Sequence, residues 1–261
     1  MVRTMDAPRP RPHWSRDRWT AEGAVTRLTR ERPAPRPVRF AARPGPVEID
    51  LTRTALLIVD MQNDFLHPEG WFAAARGVDV SGLAAPIGAV NALAAGLRAA
   101  DVPVIHLNWG VRADVANLPP TALDKASGCG AGPAYGDAGR NGPVLVAGTW
   151  GAATVDAIAA APQDIHVAKH RLSGFRDNEL AAILRRLDVT TVLYAGVNTD
   201  RCVFATLMDG AFEGFDPILV TDAAATVADP AVEGAVLTLV EQLYGFTARS
   251  DAILSALTAA S

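Results

Sequence analysis

The chain has 261 residues, 49% hydrophobic and 20% charged, which supports one large buried core and excludes global disorder. Two cysteines exclude a disulfide framework and suit a reducing, cytoplasmic compartment. The net charge of -4 conceals an asymmetry: residues 1–46 hold 11 Arg against 4 acidic residues (+7), and residues 47–261 hold 13 basic against 24 acidic (-11).

Eight of the 18 prolines also fall in residues 1–46, a composition that cannot build its own core. We read 1–46 as an arm and 47–261 as the folded domain. Trp14 and Trp19 are costly to leave in water, so the arm is expected to dock on the domain or on a sister subunit. A free tail and a nucleic-acid arm are the alternatives. No charged-then-apolar leader opens the chain, and the apolar stretch 83–97 is shorter than the roughly 20 residues of a membrane span. Neither nucleic acid nor membrane is an expected partner.

From residue 50 the pattern alternates. "TALLIVD" (54–60) is strand-like and "AAPIGAVNALAAGLRAA" (84–100) helical; "VPVIHLNW" (102–109) and "DIHVAK" (164–169) are strand-like, and "NELAAILRRLD" (178–188) is helical. "TTVLYAGV" leads into a helix over 200–214, and "DPILVTDA" (216–223) into another over 230–245, with a sixth strand near Phe246. Short unbroken apolar strands alternating with amphipathic helices specify an α/β fold, a parallel sheet covered on both faces. Residues 110–143, rich in Gly and Pro, interrupt the rhythm. They read as either a mobile insertion or a flap over a small-molecule site at the ligand-binding edge of the sheet.

Three groups fall at or just beyond strand ends. Asp60 closes the first strand, where burial raises a carboxyl toward the range of a working base, or where it simply forms a turn. Asp64, among turn residues, reads as the turn-former. Lys169 ends another strand in a chain with 22 Arg and only 2 Lys, which suggests a need for a compact ammonium; Lys125 has no such placement. Cys202 follows a strand; with Thr199 as N-cap it lies in the first helical turn, where free N–H groups favour a thiolate. A small buried core residue is the alternative there. An acid, an ammonium and a thiol converging at the carboxyl edge make a nucleophile–base–electrostatic set.

"ALLIVDMQNDF", "VAKHRLSGF" and "AGVNTDRCVFAT", in that order, resemble the three signature segments of the isochorismatase-like cysteine hydrolases over residues 50–255. "KHRLSGF", "TWGA" and "YGFT" are most similar to the ureidoacrylate, biuret and triuret amidohydrolase branch. The resemblance implies a three-layer αβα sandwich with a six-stranded parallel sheet and a catalytic triad of Asp60, Lys169 and Cys202. It also implies a cis Val197–Asn198 peptide, with the Asn198 and Cys202 N–H groups forming an oxyanion hole.

Metal-holding relatives place an Asp-x-His pair and further histidines after the second strand. Here His106 lies within the strand, and His13, His67, His166 and His170 show no ligand spacing, so neither a metal nor an organic cofactor is expected. Relatives that cleave isochorismate lack the cysteine, so its presence points to C–N cleavage in a small amide or ureide. Gln62, Asn108, Tyr135, Arg171 and Phe175 are candidate substrate contacts, with ordinary surface or core duty the alternative for each. A homo-oligomer, dimer or tetramer, is expected. The alternatives are hydrolysis of a lactam or an N-carbamoyl compound, or a non-catalytic binding or thiol-redox protein on the same fold, the redox form pairing Cys129 with Cys202.

Overall fold

The computed structural model describes residues 19–30 and 32–260. The chain divides into two compact units, 1–34 and 35–261. In the first, Thr20–Glu22 pairs antiparallel with Val25–Arg27 around Gly23, whose φ of 59° suits a residue without a Cβ. Trp19 is 64% exposed. Trp14 lies outside the described residues.

The second unit is built on six parallel strands: β1 (Thr54–Val59), β2 (Val104–Trp109), β3 (Ile165–Lys169), β4 (Thr191–Val197), β5 (Asp216–Ala225) and β6 (Phe246–Ala248). Their spatial order is β3-β2-β1-β4-β5-β6, so the winding reverses between β1 and β4. Every residue of β1 and of β4 is buried, which requires cover on both faces and explains their unbroken apolar runs. The helices are α1 (Ile87–Ala99), α2 (Pro120–Ser127), α3 (Leu180–Arg186), α4 (Phe204–Phe212), α5 (Pro230–Leu239) and α6 (Ser250–Ala259). The run Ser81–Ala99 is long and apolar enough to cross a membrane. Its α1 portion nonetheless buries Val90, Leu93, Ala94 and Leu97 against the sheet and α6, as a core helix does.

Three expectations change. The sheet has seven strands: Ala42–Arg43 adds an antiparallel edge to β6. The boundary expected after residue 46 moves to Pro35, because Pro37–Phe40 also pairs with Val47–Asp50 and buries Val38 and Phe40. Residues 110–143 are not one structureless loop. They hold α2, which starts with a proline at its first position and stops at Gly128 in the left-handed conformation (φ 65°), and the short pair Ala138–Gly139 with Gly142–Pro143.

Candidate active site

The crevice at the β1/β4 reversal is where open parallel sheets place their chemistry. Asp60 leaves β1 with φ 52°, a left-handed conformation that Asp tolerates better than most residues, while its N–H donates to the Leu107 carbonyl at 2.9 Å. On the other side of the crevice, Gly196 of β4 has φ 108°, and a Cβ there would lie 2.0 Å from the Val59 carbonyl oxygen. Only glycine lets β4 press onto the end of β1. The Val197–Asn198 peptide is cis.

Helical conformation then begins at Thr199, so Asn198 rather than Thr199 occupies the cap position. The Asn198 carbonyl accepts from the N–H groups of both Arg201 (3.0 Å) and Val203 (3.2 Å), a π-helical turn that precedes α4. Its side-chain oxygen accepts from Val227 N–H at 3.1 Å, tying this turn to the loop after β5. Cys202 lies in that turn, buried.

Asp60, Lys169 and Cys202 meet at one buried point. Lys169 Nζ lies 3.0 Å from Asp60 Oδ2. The contact is an ion pair, for among the described residues Oδ2 has no directed hydrogen bond. Nζ also donates to the Arg171 carbonyl at 3.2 Å and sits 4.1 Å from the centroid of the Trp109 ring. Trp109 Nε1–H donates to Cys202 Sγ at 3.4 Å, and Trp109 N–H is shared between Asp60 Oδ1 (3.2 Å) and Gln62 Oε1 (2.7 Å).

Burial pushes the Asp60 carboxyl above its ordinary range, against the pull of the Lys169 ammonium, the thiol and the Trp109 N–H. Burial and the neighbouring Asp60 charge push the Cys202 thiol up to about 12, outweighing Lys169 and the indole N–H. The thiolate expected from the helix start is therefore reversed. The sulfur is thereby held toward its neutral form, with the Asp60 carboxyl within hydrogen-bonding reach of it.

The five expected substrate contacts separate. Gln62 is fully buried and spends its amide on the protein: Nε2 donates to the carbonyls of Trp109 and Ala152 at 2.8 Å each, and Oε1 accepts from Trp109. Both N–H donors and one acceptor position of Oε1 are thus committed to the protein. Phe175 stacks on Phe215 at the amino end of β5, 5.6 Å between centroids, away from the crevice. Arg171 is held by the Asn117 carbonyl (2.6 Å) and Asp177 (2.9 Å), and reaches the site only through its own carbonyl. Asn108 donates to Thr154 Oγ1 at 2.9 Å. Tyr135 alone is delivered to the centre: its ring lies 4.8 Å from Trp109 and 5.4 Å from Trp71, and burial and the Cys202 and Asp60 charges raise its phenol.

Asp64 is no simple turn-former. It is buried, accepting from Trp71 N–H (3.0 Å) and Leu145 N–H (2.8 Å), while Asp64 N–H donates to the Gly151 carbonyl (3.0 Å). With Gln62 on Ala152 and Asn63 Nδ2 on the Trp150 carbonyl (2.9 Å), the "MQNDF" segment grips the "TWGA" segment and brings its loop to the crevice. The "RLSGF" segment is strapped to α4 by Gly174 N–H on Thr206 Oγ1 (3.0 Å) and Arg176 on Asp209 (2.8 Å).

The isochorismatase domain family matches residues 54–251. The chain belongs to this family. Among family relatives, the ureidoacrylate amidohydrolase RutB of Methylobacterium radiotolerans is 33% identical, over 84% of this chain and 85% of its own. That of Azorhizobium caulinodans is 33% identical over 78% and 90%. Solved structures with the fold include a cysteine hydrolase from Pseudomonas syringae pv. phaseolicola (TM-score 0.68, 24% identity, 82% of this chain and 96% of that one). An isochorismatase family protein from Desulfovibrio vulgaris is also similar (TM-score 0.64, 27% identity, 79% and 98%). The resemblance carried by the three segments, and the αβα fold it implied, are thus borne out.

Within this family member, sequence reading missed Trp109 and Trp71. Each reads as an ordinary apolar position, and neither strand nor helix periodicity distinguishes a ring that fills the core from one that touches a thiol. Arg201, next to Cys202, is exposed and places its guanidinium 5.6 Å over the Phe72 ring, a cation close to the Tyr135 wall. Among the described residues no three His, Cys, Asp or Glu side chains gather to hold a metal.

Proposed function

We propose that this chain is a cysteine-dependent amidohydrolase that cleaves a C–N bond of a small linear amide or ureide through a thioester. The observation that carries this reading is the meeting of Asp60, Lys169 and Cys202 at the reversal point of the sheet.

As Cys202 Sγ bonds to the carbonyl carbon, Asp60 takes the thiol proton, and the C=O electron pair moves to oxygen. The N–H groups of Asn198 and Cys202 hold that oxyanion. Collapse breaks the C–N bond, and Asp60 returns its proton to the departing nitrogen. Asp60 next takes a proton from water, whose oxygen attacks the thioester. The second collapse releases the acid and returns the proton to sulfur. Lys169 keeps Asp60 ionised in its dry setting. These steps draw on no cofactor or metal.

The kinship with ureidoacrylate amidohydrolases and the flat walls of Trp71, Trp109 and Tyr135 favour a small planar ureide. Tyr135 is the retained substrate contact. Nothing in the geometry favours the redox alternative: both cysteines are free, Cys129 exposed and Cys202 buried. A homo-oligomer is supported by the exposed side chains of Phe212, Leu239 and Leu243, and reduced cysteines suit the cytoplasm.

Ammonia release across a panel of ureides and amides tests the reading, with mass spectrometry to detect an acyl adduct on Cys202. Cys202→Ala and Cys202→Ser should fold normally, form no adduct and release no ammonia from a substrate the native enzyme hydrolyses. Substantial turnover by Cys202→Ala would end the covalent mechanism.

A further inference from the structure

One residue touches all three members of the site. Trp109 is 3% exposed, closes β2, and presents its indole N–H to the Cys202 sulfur at 3.4 Å. Its ring face carries the Lys169 ammonium at 4.1 Å, and its backbone N–H reaches Asp60 Oδ1 at 3.2 Å. We propose that Trp109 is a fourth catalytic residue, whose indole N–H stabilises the thiolate of Cys202 as that charge develops and whose ring seats Lys169 against Asp60. The proposal rests on Cys202 as the nucleophile.

A buried indole N–H needs an acceptor, and the structure gives it the reacting sulfur rather than a backbone carbonyl. The consequence is asymmetric along the reaction. Against a neutral thiol the bond is weak; against the thiolate it becomes charge-assisted and roughly twice as strong. Such a donor helps the transition state more than the resting enzyme, which is the condition for raising kcat. The need is acute here, because passing the thiol proton to Asp60 leaves the negative charge on a buried sulfur. Lys169 sits directly on Asp60, so the indole supplies the sulfur with a donor of its own.

The ring has a second duty. Ammonium over an aromatic face is attracted by the ring quadrupole, more strongly when desolvated. With the ring on one flank, the Arg171 carbonyl on another and Asp60 on a third, Nζ is fixed without a second carboxylate to compete for it. Gln62 locks the whole residue by bonding both the N–H and the C=O of Trp109.

Trp109→Phe separates these duties from pocket lining, since it keeps a ring face for Lys169 and the backbone N–H but removes the indole N–H. Two readouts are compared in a Cys129→Ser background, because Cys129 is exposed. The first is the rate of alkylation of Cys202 by iodoacetamide between about pH 7 and 9, where the rate follows the thiolate fraction. The second is kcat and KM on a ureide that the native enzyme hydrolyses. Both alkylation and kcat should fall about 10- to 100-fold, with KM within about threefold of native, as expected for loss of a hydrogen bond to a charged group. If Trp109→Phe folds poorly, 3-benzothienylalanine at 109, which replaces N–H by sulfur in the same outline, should show the same two losses. Unchanged alkylation with a raised KM would reduce Trp109 to a substrate wall and overturn the proposal. Turnover by Cys202→Ala would instead strike the nucleophile reading, and alkylation would still report whether the indole governs the thiol.

Discussion

Lys169→Met removes the ammonium from the fully buried Lys169–Asp60 pair while keeping a side chain of similar length. At the observed 3.0 Å, two unit charges in an effective dielectric of about 20 attract by about 5 kcal/mol. Removing Lys169 takes away the attraction that opposes burial, so the Asp60 carboxyl moves further above its ordinary range. A carboxyl shifted that way holds its own proton more firmly and is a poorer acceptor for the thiol proton. Hydrolysis at about pH 7 should fall at least 10³-fold, the scale of losing a general base.

Stability carries the same signature. With Lys169 gone, the folded-state pKa of Asp60 lies above its unfolded value. The deficit of the variant is therefore small below about pH 4 and grows as pH rises toward the folded pKa, reaching about 3–5 kcal/mol, the range for breaking a buried pair. Adding Asp60→Asn to Lys169→Met removes the stranded carboxylate and should return most of the stability and none of the activity. Chemical denaturation at about pH 4.5 and about pH 8 on the native, single and double variants provides the comparison, alongside ammonia release. A deficit equal at both pH values, or activity within tenfold of native, would refute the coupling of Lys169 to Asp60. Lys169→Arg should lose nearly as much activity as Lys169→Met, because a planar fork cannot occupy a seat bounded by Asp60, the Trp109 ring and the Arg171 carbonyl. Exposed Lys125 should accept arginine without loss.

Removing residues 1–34 should leave the melting temperature of the domain nearly unchanged, whereas removing 1–46 also strips Ala42–Arg43 from the sheet and deletes the buried Val38 and Phe40 from the core, a loss of about 3–5 kcal/mol by differential scanning calorimetry. Equal melting temperatures for the two truncations would contradict this. A change in mass by light scattering on removing 1–34 would show that this segment docks on a sister subunit. Asp164 is buried beneath Arg98 and His106; although burial pushes its carboxyl up, bonds from His106, Arg98 and Ala161 N–H hold it well below the usual range. A depressed carboxyl contributes stability above its unfolded pKa and loses it on acidification. Asp164→Asn should therefore cost about 2–4 kcal/mol between about pH 5 and 8, and the gap should begin to shrink below about pH 4 and close only as acidification reaches the depressed folded-state carboxyl; a gap independent of pH would exclude the ionised pair as its source.

Sequence alone determined the alternation of β1 to β6 with helices and the placing of Asp60, Lys169 and Cys202 at strand ends. Such signals are local: an unbroken apolar run marks a strand buried on both faces, and a charged or thiol residue just past it stands out against that background. The scarcity of lysine marked Lys169 for the same reason. Tertiary structure alone decided what each polar group spends its bonds on. Gln62 and Tyr135 were equal candidates in the sequence, but Gln62 uses both amide hydrogens and its carbonyl to hold Trp109 and Ala152, while a loop with no periodicity carries Tyr135 back onto Trp109. The sign of the Cys202 shift was equally out of reach, because a helix start favours a thiolate, and only the packed site shows burial and the Asp60 charge outweighing it. The edge strand Ala42–Arg43 was hidden because two residues carry no periodicity; its partner, Thr247–Ala248, lies at the far end of the chain. Hydrogen bonds and charges act through distances in space, and composition and spacing report only neighbours along the chain.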